Sequence, residues 1–313
     1  MGIAVGLTLM TFSPTLAVAQ DSGTSTQPGN ERARGERVLP GRIGGDRNER
    51  RQQQRQRQQA PAPADPAVIK AEVEAIFASA STPCQVTEAK MLGVSAEQVK
   101  IYEASCAGAA GYIVVASTPP QLADCIVLAN QAADARAANP EAPPSQTCSL
   151  AGNQDVMGVL KSYATQAGIA CTVDEAKVRG QTGGGAVVYE IGCAGADGYW
   201  IEKNASGWEK TECLQVVSQN STCLFTTPAE QAATVKSWLP GSDAAACDVQ
   251  QVRLMGQNAN GRFIEMTCAG ADGFIIRQNA EHAVQQVYPC ATAQQIGGGC
   301  KLTTTPPAAT PQA

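Results

Sequence analysis

The chain has 313 residues, 43% hydrophobic and only 4% aromatic, with a formal net charge of −5. That length suits two or three ordinary domains, and the shortage of aromatic side chains argues against one large core and for several small ones. Twelve cysteines beside a single histidine speak against a zinc ribbon, and the acidic balance speaks against a nucleic-acid partner.

Residues 1–19 are uncharged and largely apolar and end Leu16-Ala17-Val18-Ala19, where the small residues match an A-x-A cleavage site. A signal peptide is expected over 1–19. An uncleaved anchor is the rival, but the apolar run is short for a span and contains Ser13 and Pro14. Export to the periplasm or the extracellular space follows, and with it an oxidising compartment that permits disulfides.

From residue 20 to 65 the composition turns to Gly, Gln, Arg and Pro. Nine arginines face five acidic residues over 20–64. Such a segment lacks the apolar surface to offset the entropy of ordering, so a disordered arm is expected. Its chemistry suits contact with anionic surfaces.

Beyond the arm the chain repeats itself. Three blocks open alike, at Cys84–Gly93, Cys171–Gly180 and Cys247–Gly256. Each is followed by a second block, at Tyr102–Tyr112, Tyr189–Tyr199 and Ile264–Phe274, which shares the pattern Glu-x-x-Cys-Ala-Gly-Ala-x-Gly-aromatic. Helical patterns precede the copies at Pro66–Ala78, Asp155–Ala167 and Pro228–Trp238. The two blocks read as strands joined by a polar, glycine-bearing turn, clearest at Gln181–Gly185 and Gln257–Gly261, and the Ala-Gly-Ala box reads as a second tight turn. A short helix around the third cysteine and a last strand complete the expected order α-β-β-β-α-β. The fold class is therefore α+β, with three tandem disulfide-stapled modules of a helix plus antiparallel hairpins. They run over 66–152, 153–227 and 228–304, with a disordered tail at 305–313.

Each copy holds four cysteines, which are Cys84, Cys106, Cys125 and Cys148; Cys171, Cys193, Cys213 and Cys223; and Cys247, Cys268, Cys290 and Cys300. The first two lie 22, 22 and 21 residues apart, centred on the first predicted turn, and so face each other across a hairpin. First-to-second and third-to-fourth pairing is expected. Second-to-third with first-to-fourth is the rival connectivity.

The recurring candidates for chemistry are Glu103, Glu190 and Glu265, with the strand pairs Glu88/Lys90, Glu175/Lys177 and Gln251/Arg253 opposite them. A carboxylate beside a basic group can bind a polar ligand or act as a general acid or base. The plain alternative is a cross-strand ion pair on the solvated face. Tyr112, Tyr199, Trp200 and Phe274 follow the second turn and join the glutamates as a candidate binding surface. Asp197 and Asp272 read as turn residues, and His282 as a surface residue. No catalytic constellation, metal site or cofactor is expected. The reading is a non-enzymatic exported repeat protein, a binding or structural module of the envelope, its partner an envelope polymer or protein met through repeated faces. The alternative is a hydrolase or hydrolase inhibitor with a site in one diverged module.

Overall fold

The computed structural model describes residues 65–303. The expected signal peptide, all but the last residue of the expected arm, and the expected tail lie outside the described residues. In chain order the elements are α1 (Pro66–Ser79), β1 (Val86–Val94), β2 (Lys100–Cys106), β3 (Ala109–Val115), β4 (Gln121–Asp124), α2 (Cys125–Ala138), α3 (Ala151–Gln154), α4 (Val156–Gln166), β5 (Val173–Gln181), β6 (Val187–Cys193), β7 (Ala196–Asn204) and β8 (Gly207–Glu212). Then follow α5 (Cys213–Ser218), α6 (Pro228–Ser237), β9 (Val249–Asn258), β10 (Gly261–Cys268), β11 (Ala271–Gln278) and β12 (Val284–Pro289). The strands form three four-stranded antiparallel sheets, each in plain sequential order.

The class is α+β as expected, but the fourth strand lies elsewhere than the sequence suggests. It precedes the third cysteine, so the order is α-β-β-β-β, with the helix last in the first two copies. Tyr112 pairs with Asp124, Tyr199 with Glu212 and Phe274 with Pro289, so the chain returns at once as a hairpin and delivers the third cysteine at the strand end. The residues after the fourth cysteine, expected as a strand, give their amides to a side chain instead.

Local chemistry sets the helix starts. Asp65 caps α1 by accepting from the Ala67 amide, with Pro66 in the first turn. Asp155 caps α4 through the Gly158 amide. Thr227 and Glu230 form a reciprocal capping box on α6. Each helix buries one stripe on one face of its sheet. Ile69, Val73 and Phe77 pack on Tyr102, Ala104 and Val114. Leu160 and Ala164 pack on Tyr189, Ile191 and Ile201, and Ala110 of β3 and Ile126 of α2 join this core. Ala232, Val235 and Leu239 pack on Ile264, Met266 and Ile276, joined by Leu214 of α5. Every core after the first thus borrows a side chain from the preceding copy.

Six disulfides join first to second and third to fourth cysteines, as the spacing predicts, with Cα separations from 5.2 to 5.9 Å. Among the described residues no helix is long and apolar enough to cross a membrane. Each bridge closing a loop of this size contributes about 3 kcal/mol by restricting the unfolded chain. Replacing Cys171 and Cys193 together by alanine is expected to lower the unfolding free energy by about that amount, measured by urea denaturation. An unchanged midpoint contradicts a stapling role.

Candidate functional site

Strand alternation places Tyr102 and Ala104 toward α1 and Glu103 toward the opposite face of the first sheet. The sequence reading puts that face in solvent. Instead the third-to-fourth disulfide and the residues after it fold over it, and Glu103, Glu190 and Glu265 are 1%, 0% and 0% exposed. Sequence alternation reports which residues share a face, but not whether a distant loop covers it.

Each carboxylate binds the same target. Glu103 Oε1 accepts from the amides of Ser149 at 2.6 Å and Leu150 at 2.7 Å, the two residues after Cys148. Glu190 Oε1 accepts from the amides of Leu224 and Phe225, the latter at 2.7 Å, just after Cys223. Glu265 Oε1 accepts from those of Lys301 at 2.6 Å and Leu302 at 2.5 Å, just after Cys300. The second oxygen meets a cation. Lys90 lies 3.3 Å from Glu103, Arg179 lies 3.1 Å from Glu190, and Arg253 pairs with Glu265. In the second copy Lys177 faces Glu190 in register but reaches Asp134 of α2 at 2.5 Å, and a bulge at Val178/Gly180 brings Arg179 into its place.

An unpaired carboxylate buried this deeply costs several kcal/mol, and two amides plus a cation offset that cost. Burial works against ionisation of Glu103. The Leu150 amide, the Asn153 side chain and the hydroxyl and amide of Ser149 outweigh it and hold the carboxyl down to about 2. The two sulfurs of the neighbouring bridge lie within 4.8 Å of each carboxylate, but bonded to one another they offer a metal no thiolate.

Of the four aromatic candidates, Trp200 alone shares the glutamates' face. Tyr112 meets Phe77 edge-on at 5.5 Å on the helix side of the first sheet, and Phe274 packs on the third core. Tyr199 occupies the equivalent position in the second sheet, with Lys210 5.9 Å above its ring. Trp200 points the other way. Its Nε1 donates to Glu190 at 3.2 Å and the Arg179 guanidinium lies 5.6 Å above the ring. Thr182, Thr211, Glu202 and Glu209 surround Trp200 in a cleft of about 200 Å³. A larger cleft of about 410 Å³ lies on the third sheet, lined by Met255, Phe263 and Ile296 among glycine and side-chain amides.

Two other readings change. Asp197 is a buried anchor as well as a turn residue, since its Oδ2 accepts from the Leu214 amide, the first after Cys213. Asp272 does the same for Ala291 after Cys290. In the first copy Ala110 stands at that turn, and Asp124 of β4 caps α2 directly through the amides of Ile126 and Val127. His282 is not a free surface residue, for it stacks on Trp238 with centroids 4.3 Å apart and lies 2.6 Å from Glu212 of β8. No spacing in the sequence points to the contact with Glu212, because those two partners come from different copies.

No protein-family model, no curated protein and no solved structure matches the chain. The site is therefore read from its own geometry.

The proton affinity of Glu103 is lower in the folded chain than in the unfolded one. The stability it supplies is complete above the ordinary glutamate value of about 4.3 and is lost as pH falls through about 2. Glu103→Gln is expected to cost about 3 kcal/mol at pH 7 and to flatten the acid limb of stability against pH. Urea melts between pH 7 and pH 2.5 measure both. A variant as stable as the parent at pH 7 rules out the clamp.

Proposed function

We propose that the chain is a non-enzymatic protein of the periplasm or extracellular space, built from three tandem modules and acting as a binding or structural component of the envelope. The module bounds are 66–152, 153–227 and 228–304. The same sheet order, disulfide pairing and glutamate clamp in each copy support the division. Six disulfides fit an oxidising compartment.

The observation that carries this reading is the use already made of the recurring acid. All three glutamates are spent holding the chain after the fourth cysteine. The repeated carboxylate is thus architecture, and repeated architecture presenting similar faces suits multivalent contact. The cleft on the third sheet offers apolar groups and side-chain amides, which grip a ligand by shape. The Trp200 cleft adds an aromatic face ringed by hydroxyls and carboxylates, chemistry that suits a saccharide chain of an envelope polymer. The arm, with its arginine excess, adds affinity for anionic material.

Co-sedimentation of the exported protein with isolated envelope polymer tests the reading. Binding is expected, with Trp200→Ala weakening it about ten-fold or more and deletion of residues 20–64 making it less sensitive to salt. Trp200→Ala binding as well as the parent removes the cleft from the proposal. Steady release of soluble fragments from the polymer favours the hydrolase reading instead.

A further inference from the structure

The junction between the second and third sheets holds a group of charges that the clamp does not use. Glu212 ends β8 and reaches across to Arg262 of β10, with Oε2 to Nη2 at 2.6 Å. Its other oxygen lies 2.6 Å from His282 Nε2, in the β11–β12 turn. Both carboxylate and guanidinium are largely buried, each side chain 13% exposed. The imidazole lies flat on Trp238, which ends α6, with 4° between the ring planes. Asp197 of β7 is the second carboxylate of this neighbourhood, and Tyr199 beside it feels the charges of Glu212, Asp197 and Arg262.

His282 is the chain's only histidine, and it sits at φ +62°, in the left-handed region that histidine enters more readily than most side chains. Its Nε2 faces two opposite partners, Glu212 Oε1 at 2.6 Å and Arg262 Nη1 at 3.3 Å. A proton on that nitrogen lets it donate to the carboxylate. Without one, it can only accept from the guanidinium.

We propose that this junction is a pH-responsive latch, closed when His282 is protonated and loosened as it gives up its charge. Histidine is the side chain whose charge ordinarily changes between pH 5 and 8. Asp197 works in the same direction. Burial above all, with the negative charge of Glu212 adding, pushes its carboxyl up to about 7. Its folded pKa is raised, so the stability it supplies is full below its unfolded value and is lost as pH rises through about 7. Glu212 is held below the usual glutamate range, since His282 and Arg262 outweigh its burial, and it stays charged throughout. Loss of the His282 proton removes a positive charge beside Glu212, and ionisation of Asp197 adds a negative one. Both changes loosen the hold of β8 on the third sheet. The first junction holds no histidine: there Lys177 pairs with Asp134 at 2.5 Å and the Tyr163 hydroxyl accepts from the Ala110 amide at 2.8 Å.

Hydrogen exchange on the full chain, with labelling times corrected for intrinsic rates, tests the latch at pH 5.5 and pH 8.5. Peptides covering β8, the end of α6 and residues 279–284 are expected to open about ten-fold more at the higher pH, while those covering α4 and β3 keep one value. His282→Asn, which tolerates the backbone, and Glu212→Gln, which keeps a hydrogen-bond acceptor, each shrink that ratio. Adding Asp197→Asn to His282→Asn brings it to about one. Equal opening at both pH values in the parent overturns the proposal. So does an undiminished ratio in both His282→Asn and Glu212→Gln, which would assign the response to Asp197 alone.

Discussion

One contact recurs in every copy and the rest of the architecture leans on it: a buried glutamate that grips the two amides following the fourth cysteine. A carboxylate with no solvent exposure is tolerable only if its lone pairs are filled and its charge is met. The filling comes from backbone that would otherwise need a strand partner, and the charge from the neighbouring strand. Because the carboxylate sits on the face away from the helix, it brings the third-to-fourth loop down onto that face. Each sheet is therefore covered on both sides, by a helix on one and a stapled loop on the other. This is how a chain with so few aromatic side chains makes three small cores.

The copies solve the same problems with different residues. The cation on the glutamate is Lys90, Arg179 or Arg253, and the second arrives by way of a bulge. The amide after the third cysteine is held by Asp197 or Asp272 from the turn, while the first copy uses Asp124 from the strand end. At both junctions the amide of the residue before the turn's last glycine donates to a hydroxyl of the next helix, Ala110 to Tyr163 and Asp197 to Thr234. What repeats is the demand of each backbone group for a partner, and the side chain that meets it varies.

The repeat, the hairpins and the disulfide pairing were legible because each is local. Cysteines centred on a turn face each other whatever the rest of the chain does. The helices that open the copies were legible from proline, capping residues and apolar spacing, and their observed ends differ from expectation by a residue or two, whereas the short helix expected at each third cysteine is 14 residues long in the first copy and missing from the described residues of the third. The fourth strand was misplaced because Ser149-Leu150, Leu224-Phe225 and Lys301-Leu302 resemble a strand yet hydrogen-bond to a side chain 34 to 47 residues back. The burial of Glu103, Glu190 and Glu265 was illegible for the same reason, since alternation cannot see a loop folding over a face. His282 and Glu212 lie in different copies, and no periodicity links them.

The clamp also bears on how the chain reaches its cross-links. Four cysteines in a copy admit three pairings, and thiol–disulfide exchange is the reaction that interconverts them. Only third-to-fourth bonding sets the two following amides over the strand that carries the glutamate. A scrambled isomer must either leave that acid in water, with its sheet face bare, or enclose it without donors at a cost of several kcal/mol. The glutamate thus favours the observed pairing energetically, separately in each copy, without itself being part of a disulfide.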